Sequence, residues 1–161
     1  RTEEFFLCYT RIMKPLKEAV SLVITNEEGH FLAVKRPESS TDSLAGVWGF
    51  PAVIVQENET HQQAAARVGA QKLGVTIALG EKMGESTHER ATFRLHLTDY
   101  RATIASGTPK APQTDTAVVQ YSECAFSNDP SLLFGAAQKG SQCTQLYLDS
   151  IGADWKNAKA A

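Results

Sequence analysis

Hydrophobic positions along the chain fall into short runs with two rhythms. The run Ala19-Val20-Ser21-Leu22-Val23-Ile24-Thr25 is rich in β-branched residues. After Asn26-Glu27-Glu28-Gly29 comes a second run, His30-Phe31-Leu32-Ala33-Val34-Lys35-Arg36. Two β-runs flanking an Asn/Gly turn predict a hairpin. Residues 37–46 are polar and read as a loop, and Trp48-Gly49-Phe50-Pro51 leads into a short strand over 52–55. Residues 60–73 change to a helical rhythm. Thr60 is the expected N-cap and Gly74 sits where a C′ glycine would stop the helix. Ala66, Gly69, Ala70 and Leu73 share one small-residue face, which predicts close packing on a sheet.

Farther on, strands are predicted at 75–78, 82–88, 91–104 and 116–121. In the third, Phe93, Leu95 and Leu97 alternate with Arg94, His96 and Thr98, the pattern of a half-buried strand. Two helices, 130–139 and 141–151, break at Gly140. Strands and helices interleave without a regular βαβ beat, so the expected architecture is α+β, a mixed sheet with helices on its faces.

Composition narrows the function classes. The 161 residues fit one domain, of roughly 100–200 residues. The body is expected over 18–152, with segment 1–17 packed on it and a frayed tail at 153–161. Sixteen Lys+Arg against eighteen Asp+Glu give a net charge of −2. That balance argues against generic nucleic-acid binding and against a polybasic membrane anchor. No apolar run reaches the ~18 residues that span a bilayer. Cys8, Cys124 and Cys143 are far apart and odd in number, so a disulfide framework is not expected. A reducing cytoplasm is the expected setting.

The hairpin, then Gly46-Val47-Trp48-Gly49-Phe50-Pro51, then a helix ending at Gly74-Val75 resemble the Nudix superfamily in order and spacing. The resemblance covers roughly residues 18–126 and is strongest over 46–75. It implies an α/β/α sandwich with a mixed sheet and a box that begins at Val53 and ends at Val75. Glu59, Arg67, Gly74 and Val75 match that box. The paired glycines after Pro51 are Ala52 and Val53, and Gly69 takes an apolar place. In the family, glutamates on this helix hold Mg²⁺ or Mn²⁺ against a substrate diphosphate. Here Val68, Gln71 and Lys72 replace them. Carboxylates three and four residues apart can converge on a cation that wants oxygen ligands. An ammonium there does the opposite. A divalent ion 4 Å from Lys72 would feel about 8 kcal/mol of repulsion at an effective dielectric near 20. The usual metal site is therefore expected to be absent, with Mg or Mn needed only if the chain is an active enzyme.

The resemblance names Glu59 and Arg67 as catalytic candidates. Each also has a plainer reading, Glu59 as a surface acid near a helix start and Arg67 as a structural arginine. Ligand-binding candidates are Arg36, Trp48, Phe50, Gln71 and Lys72. Arg36 faces phosphates in the resembling family, and an arginine fork suits a phosphate. Lys72 could hold a phosphate in place of the metal, or be a solvated surface lysine. Trp48 and Phe50 could stack on a base, or pack in the core. If a metal is recruited elsewhere, Glu57, Glu59, Glu85 and Glu89 are the acids to supply it, Glu85 and Glu89 belonging to a charged cluster with His88 and Arg90. The stretch Gly140-Ser141-Gln142-Cys143 reads first as a helix–helix turn capped by Ser141, with a place near a ligand cleft as the alternative. His30, His61 and His96 are scattered and receive no role.

Three functions follow. The first is a Nudix-like domain binding a nucleotide or other diphosphate-containing small molecule, with pyrophosphohydrolase activity weak or lost. The second is an active pyrophosphohydrolase with a non-standard metal site. The third is an interaction or scaffold domain that keeps only the fold. Homodimers are common in the resembling family, and Phe5 and Phe6 are candidates for such an interface. Fold alone does not choose among these readings.

Overall fold

The computed structural model describes residues 14–39, 43–114 and 118–159. The expected packing of the N-terminal segment, with Phe5 and Phe6, lies outside these residues up to position 13, as does Thr116 of the expected strand 116–121.

Strand β1 (Leu16–Ile24) organises the fold. Ala19 to Ile24 are all buried, so this strand carries a nearly continuous apolar run instead of an alternation. One edge pairs antiparallel with β4 (Ala52–Ile54) and the other parallel with β6 (Arg94–Ser106). Strand β6 then pairs antiparallel with β5 (Thr76–Glu89), giving a four-stranded mixed sheet in the order β4-β1-β6-β5. A second sheet has the order β3-β2-β7, from β2 (Phe31–Lys35), β3 (Trp48–Gly49) and β7 (Glu123–Ser127).

The predicted hairpin is therefore replaced by a corner. The Asn26 carboxamide oxygen accepts from the backbone of Glu28 and His30, and Gly29 takes φ +77°. Thr25 and Phe31 make a single bridge, after which the strands part into different sheets. Both edges of β1 are filled by β4 and β6, and both edges of β2 by β3 and β7, so neither has an edge left for the other.

Helix α1 (His61–Val68) starts as expected. Thr60 accepts from the Gln63 backbone while the Gln63 side chain accepts from Thr60, a capping box. The helix continues as a π-turn over Gly69–Leu73 and stops at Gly74, which is left-handed at φ +71°. The buried face corrects the small-residue face expected. Ala64, Ala65, Val68, Gly69 and Leu73 are buried, whereas Ala66 and Ala70 are exposed. Strand β5 has a bulged register between Leu79 and Gly84, joining two predicted strands. Of the strand expected at 116–121, the described part is irregular, and β7 forms later. Tyr121 serves there as an anchor, its hydroxyl bonded to the backbone of Ala52.

The C-terminal helices follow the predicted break. A 3₁₀ turn (Pro130–Leu133) and α2 (Phe134–Gln138) precede Gly140, at φ +97°, and α3 (Gln142–Ser150). The tail expected to fray is tied down as far as Ala158. Gln138 donates to the carbonyls of Trp155 and Ala158, and the Trp155 indole donates to Asp149.

Two cores sit on opposite faces of β1. One gathers Ala19, Val23, Phe50, Leu97, Leu133 and Leu148 under α2 and α3. The other gathers Leu22, Ile24, Leu32, Ala65, Val68 and Leu73 under α1. This is the α/β/α sandwich expected, and it leaves an opening between the first turn of α3, the end of α1 and strand β4. Among the described residues no helix is long and apolar enough to cross a membrane.

Candidate functional site

The turn between β4 and α1 is fastened from within the helix. Arg67 Nε donates to Glu59 Oε2 and Nη2 donates to Glu59 Oε1, both at 2.9 Å. Nη2 also donates to the Ile54 carbonyl, and the Gln56 backbone donates to Glu59 Oε1. Both carboxylate oxygens are thus occupied. The Arg67 guanidinium, then the Gln56 amide, hold the Glu59 carboxyl down to about 2. The same pairing raises the pKa of Arg67.

Beside this clasp opens a cleft of about 590 Å³. Its floor is apolar, with Ala19, Leu95 and Leu97 from the sheet and Leu44 and Val53 at the side. Four cationic residues line it: Arg36 after β2, Arg67 on α1, Lys72 in the π-turn and Arg90 in the β5–β6 turn. No described lining residue is an Asp or Glu. Gly140, Ser141, Gln142 and Cys143 close the far wall, so the helix–helix turn also lies at the cleft. Ser141 occupies the N-cap position, but its hydroxyl contacts Cys143 Sγ at 3.3 Å and makes no side-chain cap bond.

Lys72 is the unusual member. Its ammonium lies 4.7 Å from the centre of the Tyr121 ring. Burial lowers its pKa, and the nearby charges of Arg36 and Arg67 lower it further. Among the described residues it has no carboxylate partner. Tyr121 is itself buried, and that burial raises its phenol pKa.

Arg36, Arg67 and Lys72 therefore come together, whereas the other candidates disperse. Val68 is buried in the core under α1 and Gln71 is not among the cleft-lining residues, so the expected shared face presents Lys72 alone. The π-turn is the reason, because it changes the angular spacing after residue 68. Phe50 is a core residue, edge-on to Phe31 and Tyr147 at 5.9 and 5.1 Å, and Trp48 packs against the same core. Neither is among the residues lining the cleft, and both pack in the core, Phe50 also bordering a small adjoining pocket with Arg36 and Cys143. Glu57 sits in a shallow recess near Glu18. Glu85 is bonded to Lys82 and His96, and Glu89 pairs with Lys14. Among the described residues no three His, Cys, Asp or Glu side chains converge as metal ligands.

Two features escaped the sequence reading. Arg90 Nη2 donates to Gln142 Oε1 at 2.7 Å, and the Gln142 amide donates to Ser86, which ties the β5–β6 turn to the start of α3 across the cleft wall. Asp99 is buried in β6, bonded to Ser21, with Oδ2 left without a partner among the described residues. The signal for Asp99 was available, because position 99 is in phase with Leu95 and Leu97 and calls for an apolar side chain.

A family model for the NUDIX domain matches residues 15–127. The chain belongs to the NUDIX domain family. Solved structures share its fold at low identity. The ORF135 protein of E. coli is 20% identical with a TM-score of 0.64, over 90% of this chain and 96% of that one. The MutT protein of Methanosarcina mazei Go1 is 19% identical with a TM-score of 0.62, over 86% and 97%. An ADP-ribose pyrophosphatase from Streptococcus suis is 10% identical with a TM-score of 0.57, over 86% and 93%. No curated protein matches the chain.

Nudix proteins typically depend on a divalent metal, and the residues present here do not fit one. Of the three residues that stand where the box places glutamates, Val68 is apolar and buried, Gln71 is not among the cleft-lining residues, and Lys72 brings a positive charge to the cleft. Glu59 has both oxygens engaged by Arg67 and Gln56. A cation wants several oxygen ligands, and this cleft offers it cationic side chains instead.

Proposed function

We propose that this chain binds a nucleotide or another small molecule carrying a diphosphate, with metal-dependent pyrophosphohydrolase activity weak or lost. The observation that carries this reading is the Lys72 ammonium, facing the cleft from the helix where the Nudix box places carboxylates. The ligand class is supported by the family and by neighbours named as MutT protein and ADP-ribose pyrophosphatase.

Arg36 offers a guanidinium fork to phosphate oxygens and Lys72 a point charge, while Arg67, whose Nε and Nη2 are held by Glu59 and Ile54, keeps only its Nη1 edge for a ligand. The floor of Leu95, Leu97 and Val53 accepts the less polar part of the ligand. Glu59 acts by holding Arg67 in place and not by touching the ligand.

The test pairs turnover with binding. Phosphate release is measured on nucleoside triphosphates and nucleoside-diphosphate conjugates, with Mg²⁺, with Mn²⁺ and with chelator. The Gln71→Glu/Lys72→Glu double variant runs beside the parent. The expected parent is silent, yet a ligand at 100 times its Kd raises stability by about 2.7 kcal/mol, or about 5–10 °C in Tm. Metal-dependent turnover by the parent overturns the loss of chemistry. No thermal shift with any compound overturns the binding function and leaves an interaction domain.

A further inference from the structure

Among the described residues the cleft lining carries no carboxylate, and this bears on the ionic form in which a ligand is taken. We infer, resting on the diphosphate-binding reading above, that the cleft takes its ligand as the metal-free polyanion. Lys72 and Arg90 meet the phosphate charge directly, and a divalent cation competes with the protein for it.

Internal pairing removes part of the cleft's positive charge. Arg67 is matched by Glu59 and adds little net charge. Lys72 touches the face of Tyr121, and the side-chain partner of Arg90 is the neutral amide of Gln142. Among the described residues neither cation has a carboxylate partner. They reach the same cleft from two different elements, the π-turn after α1 and the β5–β6 turn. The Arg90–Gln142–Ser86 bonds fix one of them, and packing on Tyr121 fixes the other.

Desolvation adds to this. Lys72 is half-buried and its charged form is already disfavoured. A phosphate beside it restores the charged form, so Lys72 is better matched with a ligand bound than without one. A terminal phosphate carries about −1.5 to −2 at pH 7. Chelated Mg²⁺ cancels that charge and brings a second cation towards Lys72 and Arg36. A helix lined with carboxylates would gain from that ion, and this cleft loses from it.

The whole chain is titrated calorimetrically with ADP and with inorganic diphosphate, at fixed ionic strength, once in EDTA and once with Mg²⁺ in excess over ligand. The expected result is binding in EDTA that weakens at least tenfold in Mg²⁺. Lys72→Met should lose about tenfold in EDTA and show a smaller Mg²⁺ effect, whereas Lys72→Arg should keep both. The melting temperature of each variant checks folding. Affinity that rises with Mg²⁺, or is unchanged by it, overturns the metal-free inference and leaves the binding function standing. No binding of either probe in either buffer overturns both.

Discussion

Arg67 grips Glu59 through two parallel hydrogen bonds, Nε to Oε2 and Nη2 to Oε1, each 2.9 Å. The pair spans the turn into α1, and the same guanidinium reaches the Ile54 carbonyl at the end of β4. It therefore joins an edge strand to the helix that carries Lys72. Charge-assisted bonds of this kind contribute about 1.5–3 kcal/mol. Glu59→Gln should lower Tm by about 3–10 °C in a protein of this length. The loss should be the same in EDTA and in Mg²⁺, because it comes from the clasp. A loss seen only in Mg²⁺ would make Glu59 a metal ligand. The acid side has a fixed sign. The folded-state pKa of Glu59 lies near 2, below its ordinary 4.5, so its contribution is present above pH 4.5 and is lost as pH falls towards 2.

Gly69 opens the π-turn in ordinary helical geometry, with φ −57° and ψ −50°. Backbone freedom is not why glycine stands there. A Cβ would lie 2.5 Å from Ile77 Cγ1 and 2.9 Å from the Val75 carbonyl oxygen. Alanine is the better helix former by about 1 kcal/mol. Overpacking opposes it at about 1–3 kcal/mol, and the contact with backbone leaves little room to relax. Gly69→Ala should therefore lower the midpoint of urea denaturation without changing the m-value. A raised midpoint would mean that β5 can move away from α1.

Much of this site was legible before folding, because local chemistry decides it. Thr60, Gln63 and Gly74 set the helix ends by short-range hydrogen bonds and a left-handed turn, and all three appear in the sequence. Lys72 and Arg67 could be placed by spacing along one helix. Partners separated by dozens of residues were not readable. The Arg90–Gln142 bond spans 52 residues and depends on how β5 and α3 meet. The hairpin failed for a related reason, because a local turn signal cannot tell which distant strands will fill each edge. Phe50 and Trp48 looked the same as ligand or core, since an aromatic ring suits both. Only the positions of Phe31 and Tyr147 decide for Phe50.

Tyr121 separates stability from binding. Its hydroxyl accepts from the Ala52 backbone at 3.1 Å and lies 3.3 Å from the Ala52 carbonyl, and its ring lies under the Lys72 ammonium. Tyr121→Phe removes the hydroxyl and leaves the Ala52 amide unpaired, which costs about 1–3 kcal/mol. The ring survives, so affinity for ADP in EDTA should stay within about twofold. Tyr121→Leu removes the ring as well and should weaken that affinity by up to about fivefold, in line with a cation–π contact of up to about 1 kcal/mol. Equal binding by Tyr121→Leu and wild type would mean that the ring does not position Lys72.

Asp99 sets the stability profile on the other side of the pH scale. It is 1% exposed, bonded to Ser21 on β1, and its Oδ2 has no partner among the described residues. The thiol of Cys143 on α3 lies close enough that the Asp99 charge helps push that thiol up to about 11, after the larger effect of burial. Burial also raises Asp99 itself from its ordinary 3.8 to about 7, and the Ser21 bond offsets only part of the rise. Between those values the folded chain holds a proton that the unfolded chain releases. Stability from this group is therefore complete below about pH 4 and declines as pH rises through 7. The total is about 4 kcal/mol at 1.36 kcal/mol per pKa unit. Asp99→Asn keeps the shape and cannot ionise. It should match wild type only below about pH 4 and exceed it in Tm at pH 8, flattening the profile between. The Glu59 loss lies below this window, so the two do not mask each other. A wild-type Tm that is level from pH 5 to 8 would show instead that Asp99 ionises without cost, which its unpaired buried oxygen argues against.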